Sequence, residues 1–162
     1  MVSEEDLVHL RRCVELAAEA ADAGDGPFGS VLVGGDGRVL LEARNLEVTT
    51  NDPTAHPELA IARWAGVHLS PEERAAATTY TSGEHCPMCA AAHGWAGLGR
   101  IVFVHSAEQL SEWRGRPALP VTLYPAREVL PTTLVEGPLT DVGRELLDAV
   151  RALHLRRRTS PT

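Results

Sequence analysis

Two of the three cysteines stand three residues apart in Thr81-Ser82-Gly83-Glu84-His85-Cys86-Pro87-Met88-Cys89. Cysteines at i and i+3 share one face of a helix, and Pro87 suits the first helical position, where its missing N–H has no partner to lose. A helix start lowers thiol pKa values through its unpaired N–H groups and positive dipole end, and a soft divalent metal such as zinc lowers them further. Taken alone, the C-x-x-C spacing also serves redox proteins and structural zinc sites. Upstream, Asp52-Pro53-Thr54-Ala55-His56-Pro57-Glu58 supplies an imidazole and, two residues on, a carboxylate where a second helix reads as beginning. His56, Cys86 and Cys89 make three ligands where a structural zinc takes four, so the nearby carboxylate of Glu58 points to an open, catalytic metal position. His85 and His93 compete as ligands. His93, four residues after Cys89, could close a Cys2His2 site, but it lies one turn down the helix from the end where the metal belongs, which favours a pocket or core role.

H-x-E followed by C-x-x-C is the known signature of zinc deaminases. With Asp52-Pro53-Thr54-Ala55 before the first half and Thr81-Ser82-Gly83-Glu84 before the second, the sequence resembles the cytidine-deaminase-like superfamily, in its branch of guanine deaminases and tRNA adenosine deaminases. The likeness runs through residues 25–105 and fades beyond Ser106. It implies one zinc per chain and hydrolytic loss of ammonia from an aromatic ring. A three-ligand zinc lowers the pKa of a water towards about 7. Glu58, kept out of the coordination sphere by its place on the same turn as His56, then takes the water proton, passes it to a ring nitrogen and protonates the leaving amine.

Substrate contacts are less sharply marked. Asn45 precedes His56 at the spacing at which this branch carries a base-binding asparagine, although an asparagine at a strand end is as often a turn residue. Phe28 in Gly26-Pro27-Phe28-Gly29 and Trp95 after the cysteine pair are candidate pocket walls for a flat ring, or core residues. Glu112, beside Trp113, is the nearest candidate for a base-reading carboxylate, with an exposed helix-end carboxylate as the alternative. Glu84 reads as a hydrogen-bonding residue of the turn. Two positions depart from the resembled pattern. His85 stands where the family usually has proline, and Pro57 where it usually has alanine; Pro57 removes a backbone N–H at the site's mouth, which predicts a shifted substrate preference.

The elements that must hold these residues follow from periodicity and turn chemistry. Residues 4–23 read as an amphipathic helix, with Leu7, Leu10, Val14, Ala17, Ala18 and Ala21 at helical spacing, ended by Gly24-Asp25-Gly26-Pro27. Strands at 28–33 and 38–43 flank Gly34-Gly35-Asp36-Gly37, a hairpin turn. A helix over 55–68, a strand over 78–81, a helix over 86–97 and an apolar strand over 101–104 come next. Val121-Thr122-Leu123-Tyr124 reads as a fifth, edge strand, and residues 138–155 as a last helix. This order predicts an α/β chain: a mixed five-stranded sheet covered by helices on both faces, the three-layer α/β/α sandwich that the resemblance also implies.

The 162 residues, 44% of them apolar, fit one domain with a full core. Residues 1–155 are expected to form it, with 156–162 as a basic, flexible tail. An odd cysteine count with two committed to metal argues against disulfides and for a reducing cytoplasm, with Cys13 in the core. The acidic Met1-Val2-Ser3-Glu4-Glu5-Asp6 supports no targeting peptide, and no segment reads as a membrane span. A net charge of −7 argues against a nucleic-acid partner. The expectation is a cytoplasmic, homodimeric zinc deaminase whose partners are water and a small free base: a guanine-like purine, a cytosine-like pyrimidine or an amino-triazine. The alternatives are a tRNA adenosine deaminase and a non-catalytic module stabilised by zinc.

Overall fold

The computed structural model describes residues 2–159. In chain order the elements are α1 (Glu4–Asp22), β1 (Gly29–Val33), β2 (Val39–Arg44), α2 (Pro57–His68), α3 (Pro71–Ala76), β3 (Thr78–Gly83), α4 (Pro87–Ala96), β4 (Arg100–His105), α5 (Ala107–Trp113), α6 (Ala126–Val129), β5 (Val135–Glu136) and α7 (Arg144–Thr159). The strands form one five-stranded sheet in the order β2-β1-β3-β4-β5. It is mixed: β1 runs antiparallel to β2 and β3, while β3, β4 and β5 are parallel.

Alternation along the central strands builds the two sides of the core. Val31, Val33, Tyr80, Val102 and Val104 pack under α1 and α7, joined by Leu7, Leu10, Val14, Leu146 and Val150. The intervening Leu32 meets Ile61, Ala62 and Ala65 of α2 on the opposite face. Ile101 and Phe103 pack there with Ala90 of α4. Burial on both faces is what a parallel central strand requires, and it explains the unbroken apolar run of β4. Gly29 permits the close seating of α1 on β1, because a Cβ there would run into Leu16 and the Cys13 carbonyl. Cys13 is fully buried, as expected for a core residue.

The fold class agrees with the sequence expectation, and the C-terminal third corrects its details. Residues 121–124 are not a strand. Pro117, Pro120 and Pro125 surround them and withhold ladder donors, and Val121 and Tyr124 are exposed. The edge position beside β4 goes to Val135–Glu136, where Glu136 pairs with Arg100. The last helix begins at Arg144 rather than 138, just after Gly143 in the left-handed conformation. It continues through residues 156–159, which were expected in the tail, while 160–162 lie outside the described residues. No helix among the described residues is long and apolar enough to cross a membrane.

Candidate metal centre and active site

Helix starts separate structural from functional positions in this chain. α1, α3 and α5 each begin with a serine capping box, Ser3 with Asp6, Ser70 with Glu73 and Ser106 with Gln109. α2 and α4 instead begin at His56 and Cys86, each followed by proline, and neither side chain makes a cap hydrogen bond. A side-chain cap contributes about 1 kcal/mol. Both helices forgo it because the N-cap side chains turn towards each other.

His56 Nδ1 lies 3.7 Å from Cys86 Sγ and 3.5 Å from Cys89 Sγ. All three donor atoms fall within 4.8 Å of one another, and among the described residues this is the one such His/Cys/Asp/Glu cluster. Bond lengths of about 2.3 Å to sulfur and 2.0 Å to nitrogen make a tetrahedral S–N edge of about 3.6 Å. The observed distances match that edge, and two thiols with one imidazole are the donor set of a zinc site, so the residues fit the metal. Their mutual electrostatics lead the same way. The Cys89 thiol, with His56, draws Cys86 down to about 4, while Cys86 raises His56 to about 9 and pushes Cys89 up. A dication in their midst would displace the protons that His56 and Cys89 still hold at neutral pH.

Glu58 is the second residue of α2, in its first turn and 5% exposed. Its Oε1 accepts hydrogen bonds from Thr81 Oγ1 at 2.7 Å and Ser30 Oγ at 3.2 Å, and those hydroxyls lie 2.9 Å apart. Its Oε2 lies 3.8 Å from Cys89 Sγ. Burial raises the carboxyl's pKa. The carboxylate is therefore anchored by one oxygen and presents the other to the cluster without belonging to it.

On the other side, His56 Nε2 faces Glu47 Oε1 at 3.6 Å. Asn45 is buried and binds the same loop: its Nδ2 donates to Glu47 Oε2 at 2.6 Å, and its Oδ1 accepts from the backbone of Gly26 and Glu47. Asp25, also buried, holds that loop through the backbone N–H groups of Val48 and Thr49. The side-chain hydrogen bonds of Asn45 thus stay within this loop and the Gly26 turn, one carboxylate away from His56. Phe28 is half-buried against Gly83, its ring 5.0 Å from His154 and 6.2 Å from His105.

Two of the candidate contact residues lie at the surface of this chain. Trp95 is 91% exposed on α4 and stands outside the buried core. Glu112 is exposed and pairs with Arg116 one turn on at 2.8 Å, the geometry of a helix-surface ion pair. His93 is a core residue, bonded to the Gly99 carbonyl at 2.9 Å. His85 is buried edge-on against His93, outside the cluster. Glu84 is the turn residue expected, accepting from the N–H groups of Ala107 and Ala126. Pro57 is the buried first residue of α2. Sequence reasoning missed Ser30, Thr81 and Glu47. The serine inside apolar β1 was a signal, but β3 is rich in hydroxyls throughout, and only the β1–β3 register singles out Thr81.

Three comparisons with known proteins bear on this geometry. A family model of the cytidine and deoxycytidylate deaminase zinc-binding region matches residues 3–105, which include His56, Glu58, Cys86 and Cys89. The chain is 46% identical over 88 residues to a guanine deaminase of Bacillus subtilis, covering 54% of this chain and 56% of that one. It is 36% identical over 110 residues to a Schizosaccharomyces pombe protein named "Probable cytosine deaminase", covering 67% and 65%. The matched part thus spans less than two thirds of each relative. A structure from a study of A-to-I editing by tRNA:A34 deaminases superposes with a TM-score of 0.57 at 27% identity, covering 80% of this chain and 96% of that one.

Proposed function

Because the chain belongs to the cytidine and deoxycytidylate deaminase zinc-binding family, we propose that it is a zinc-dependent hydrolytic deaminase of a small free base. The candidate substrates carry an amino group on an amidine carbon: guanine-like purines, cytosine-like pyrimidines and amino-triazines. The observation that carries this reading is Glu58, a buried carboxylate set beside a three-donor cluster and held there by hydroxyls. A purely structural zinc asks for a fourth protein ligand and has no use for such a carboxylate.

His56 Nδ1, Cys86 and Cys89 would hold the zinc, which would supply a Lewis acid that brings a water's pKa towards about 7. Glu58 Oε2 accepts the water proton and delivers it to the ring nitrogen next to the amino-bearing carbon. The amine leaves after a second proton transfer through the same oxygen. The base gains a carbonyl oxygen from water and loses ammonia, so one water is consumed per ammonia released. Burial of Glu58 favours its protonated form and suits it to carry a proton between two partners. Phe28 is the candidate ring contact. Asn45 would become a base contact by exchanging Glu47 for the substrate. A homodimer is part of this reading.

tRNA adenosine deamination is the second reading, supported by the likeness to a tRNA:A34 deaminase structure. A net charge of −7 weighs against a polyanion. Ammonia release by the zinc-loaded protein from guanine, isoguanine, cytosine, amino-triazines, their nucleosides and an adenosine-34 tRNA tests both. Release from free bases with the tRNA inert is the expected result. Release from the tRNA alone would replace the first reading by the second, and silence throughout with zinc bound would contradict both.

A further inference from the structure

We propose that the Ser30–Thr81 hydroxyl pair positions Glu58 and selects which of its oxygens carries the proton; this rests on Glu58 being the proton carrier. β1 and β3 run antiparallel with Ser30 opposite Thr81, so the two side chains emerge together on the face covered by α2. Both are fully buried among apolar neighbours, where a hydroxyl without a partner would be costly. Each hydroxyl has one proton. The shortest path runs from Ser30 Oγ to Thr81 Oγ1 at 2.9 Å and from Thr81 Oγ1 to Glu58 Oε1 at 2.7 Å, a relay in which each bond polarises the next. The longer Ser30 contact to Oε1, at 3.2 Å, closes the triangle.

The hydroxyl pair holds Oε1, with the Thr81 proton as the donor, and the two hydroxyls leave Oε2 as the oxygen that faces Cys89 and the metal donors. Without them the carboxylate is free to rotate about its terminal torsion, a broad and shallow one, and to present either oxygen or neither. Neither hydroxyl touches a metal donor in this structure, so the pair acts on the reaction only through Glu58.

The test compares zinc-loaded wild type, Thr81→Val, Thr81→Ser, Ser30→Ala and Glu58→Gln for zinc content, melting temperature, kcat and KM. Valine keeps the branched shape and removes the donor; serine keeps the donor. Loss of a hydrogen bond to a charged group predicts that Thr81→Val lowers kcat about ten- to hundredfold, with KM and zinc content unchanged. Thr81→Ser should recover most of that, and Ser30→Ala should cost a few-fold, on the order of one neutral hydrogen bond. Adding Thr81→Val to Glu58→Gln should cost nothing further, since the two act as one unit.

Unchanged kcat in Thr81→Val beside a crippled Glu58→Gln would overturn the positioning role alone. Full activity in Glu58→Gln would overturn the reading beneath it as well. An infrared measurement reads the same contact without turnover. The carboxylate stretch that disappears in Glu58→Gln should shift in Thr81→Val and hold in Thr81→Ser, and a band indifferent to Thr81→Val would refute the proposal. If Thr81→Val does not fold, Ser30→Ala is read in the same two ways.

Discussion

Replacing Cys89 by serine is expected to remove zinc, activity and a large part of the thermal stability together. Cys89 is a completely buried residue of α4, 3.5 Å from His56 Nδ1 at the start of α2. With two donors left, the site falls below the three or four protein ligands that hold zinc, and a hard hydroxyl does not replace a soft thiolate. A metal present at about a thousand times its Kd stabilises the folded state by ~4 kcal/mol. In a chain of this length that corresponds to a melting temperature higher by on the order of 10 °C. The Cys89→Ser protein should therefore melt about that much below the zinc-loaded wild type. It should melt close to wild type stripped by a chelator, and added zinc should raise only the wild type. Zinc content by elemental analysis beside calorimetry checks this, and a variant that keeps one zinc per chain would contradict it.

Glu58→Gln separates chemistry from metal binding. The amide has the carboxylate's size and can still accept from Thr81 Oγ1, so the buried triangle with Ser30 survives at one oxygen. What it cannot do is take a proton from water and pass it on. Positioned general acid and base catalysis contributes roughly 10²- to 10⁴-fold, and kcat should fall by that amount with zinc content unchanged. KM should move little, because Glu58 is assigned no part in holding the ring. A fall in zinc content parallel to the fall in kcat would make Glu58 a ligand and would contradict its assigned role.

The clustering of His56, Cys86 and Cys89 beside Glu58 was legible in the sequence for a local reason. His56, Cys86 and Cys89 stand at helix starts marked by Pro57 and Pro87, and spacing within one turn decides which side chains share a face. The same arithmetic would have removed Trp95. Six residues beyond Cys89 is about 600° of helix, or roughly 120° away around the axis, so the two cannot line one wall. Glu112 had an exposed partner in sight as well, Arg116 four residues on. By contrast, Ser30 with Thr81 and Glu47 with His56 are contacts between separate elements. The first pair depends on which residues of β1 and β3 stand opposite each other, and the second on the path of a loop held by buried Asp25. Nothing within either segment records those relations.

In the sheet, four strands could be read from alternation, from an apolar run and from the Gly34–Gly37 turn. The fifth could not. Two residues, Val135 and Glu136, are too few to show a period, and the Val-Thr-Leu-Tyr stretch at 121–124 offered a stronger but misleading pattern. There the prolines on both sides outweigh the propensity of the residues between them.

Hydrolytic chemistry at this cluster requires a zinc held by three protein ligands with its fourth position open. X-ray absorption at the zinc edge of the loaded protein tests that most directly. The prediction is two sulfurs at about 2.3 Å, one imidazole nitrogen at about 2.0 Å and one further light atom from solvent that a substrate analogue exchanges. Two sulfurs with two imidazoles, unaltered by any analogue, would recruit a second histidine, make the site structural and contradict the hydrolytic reading.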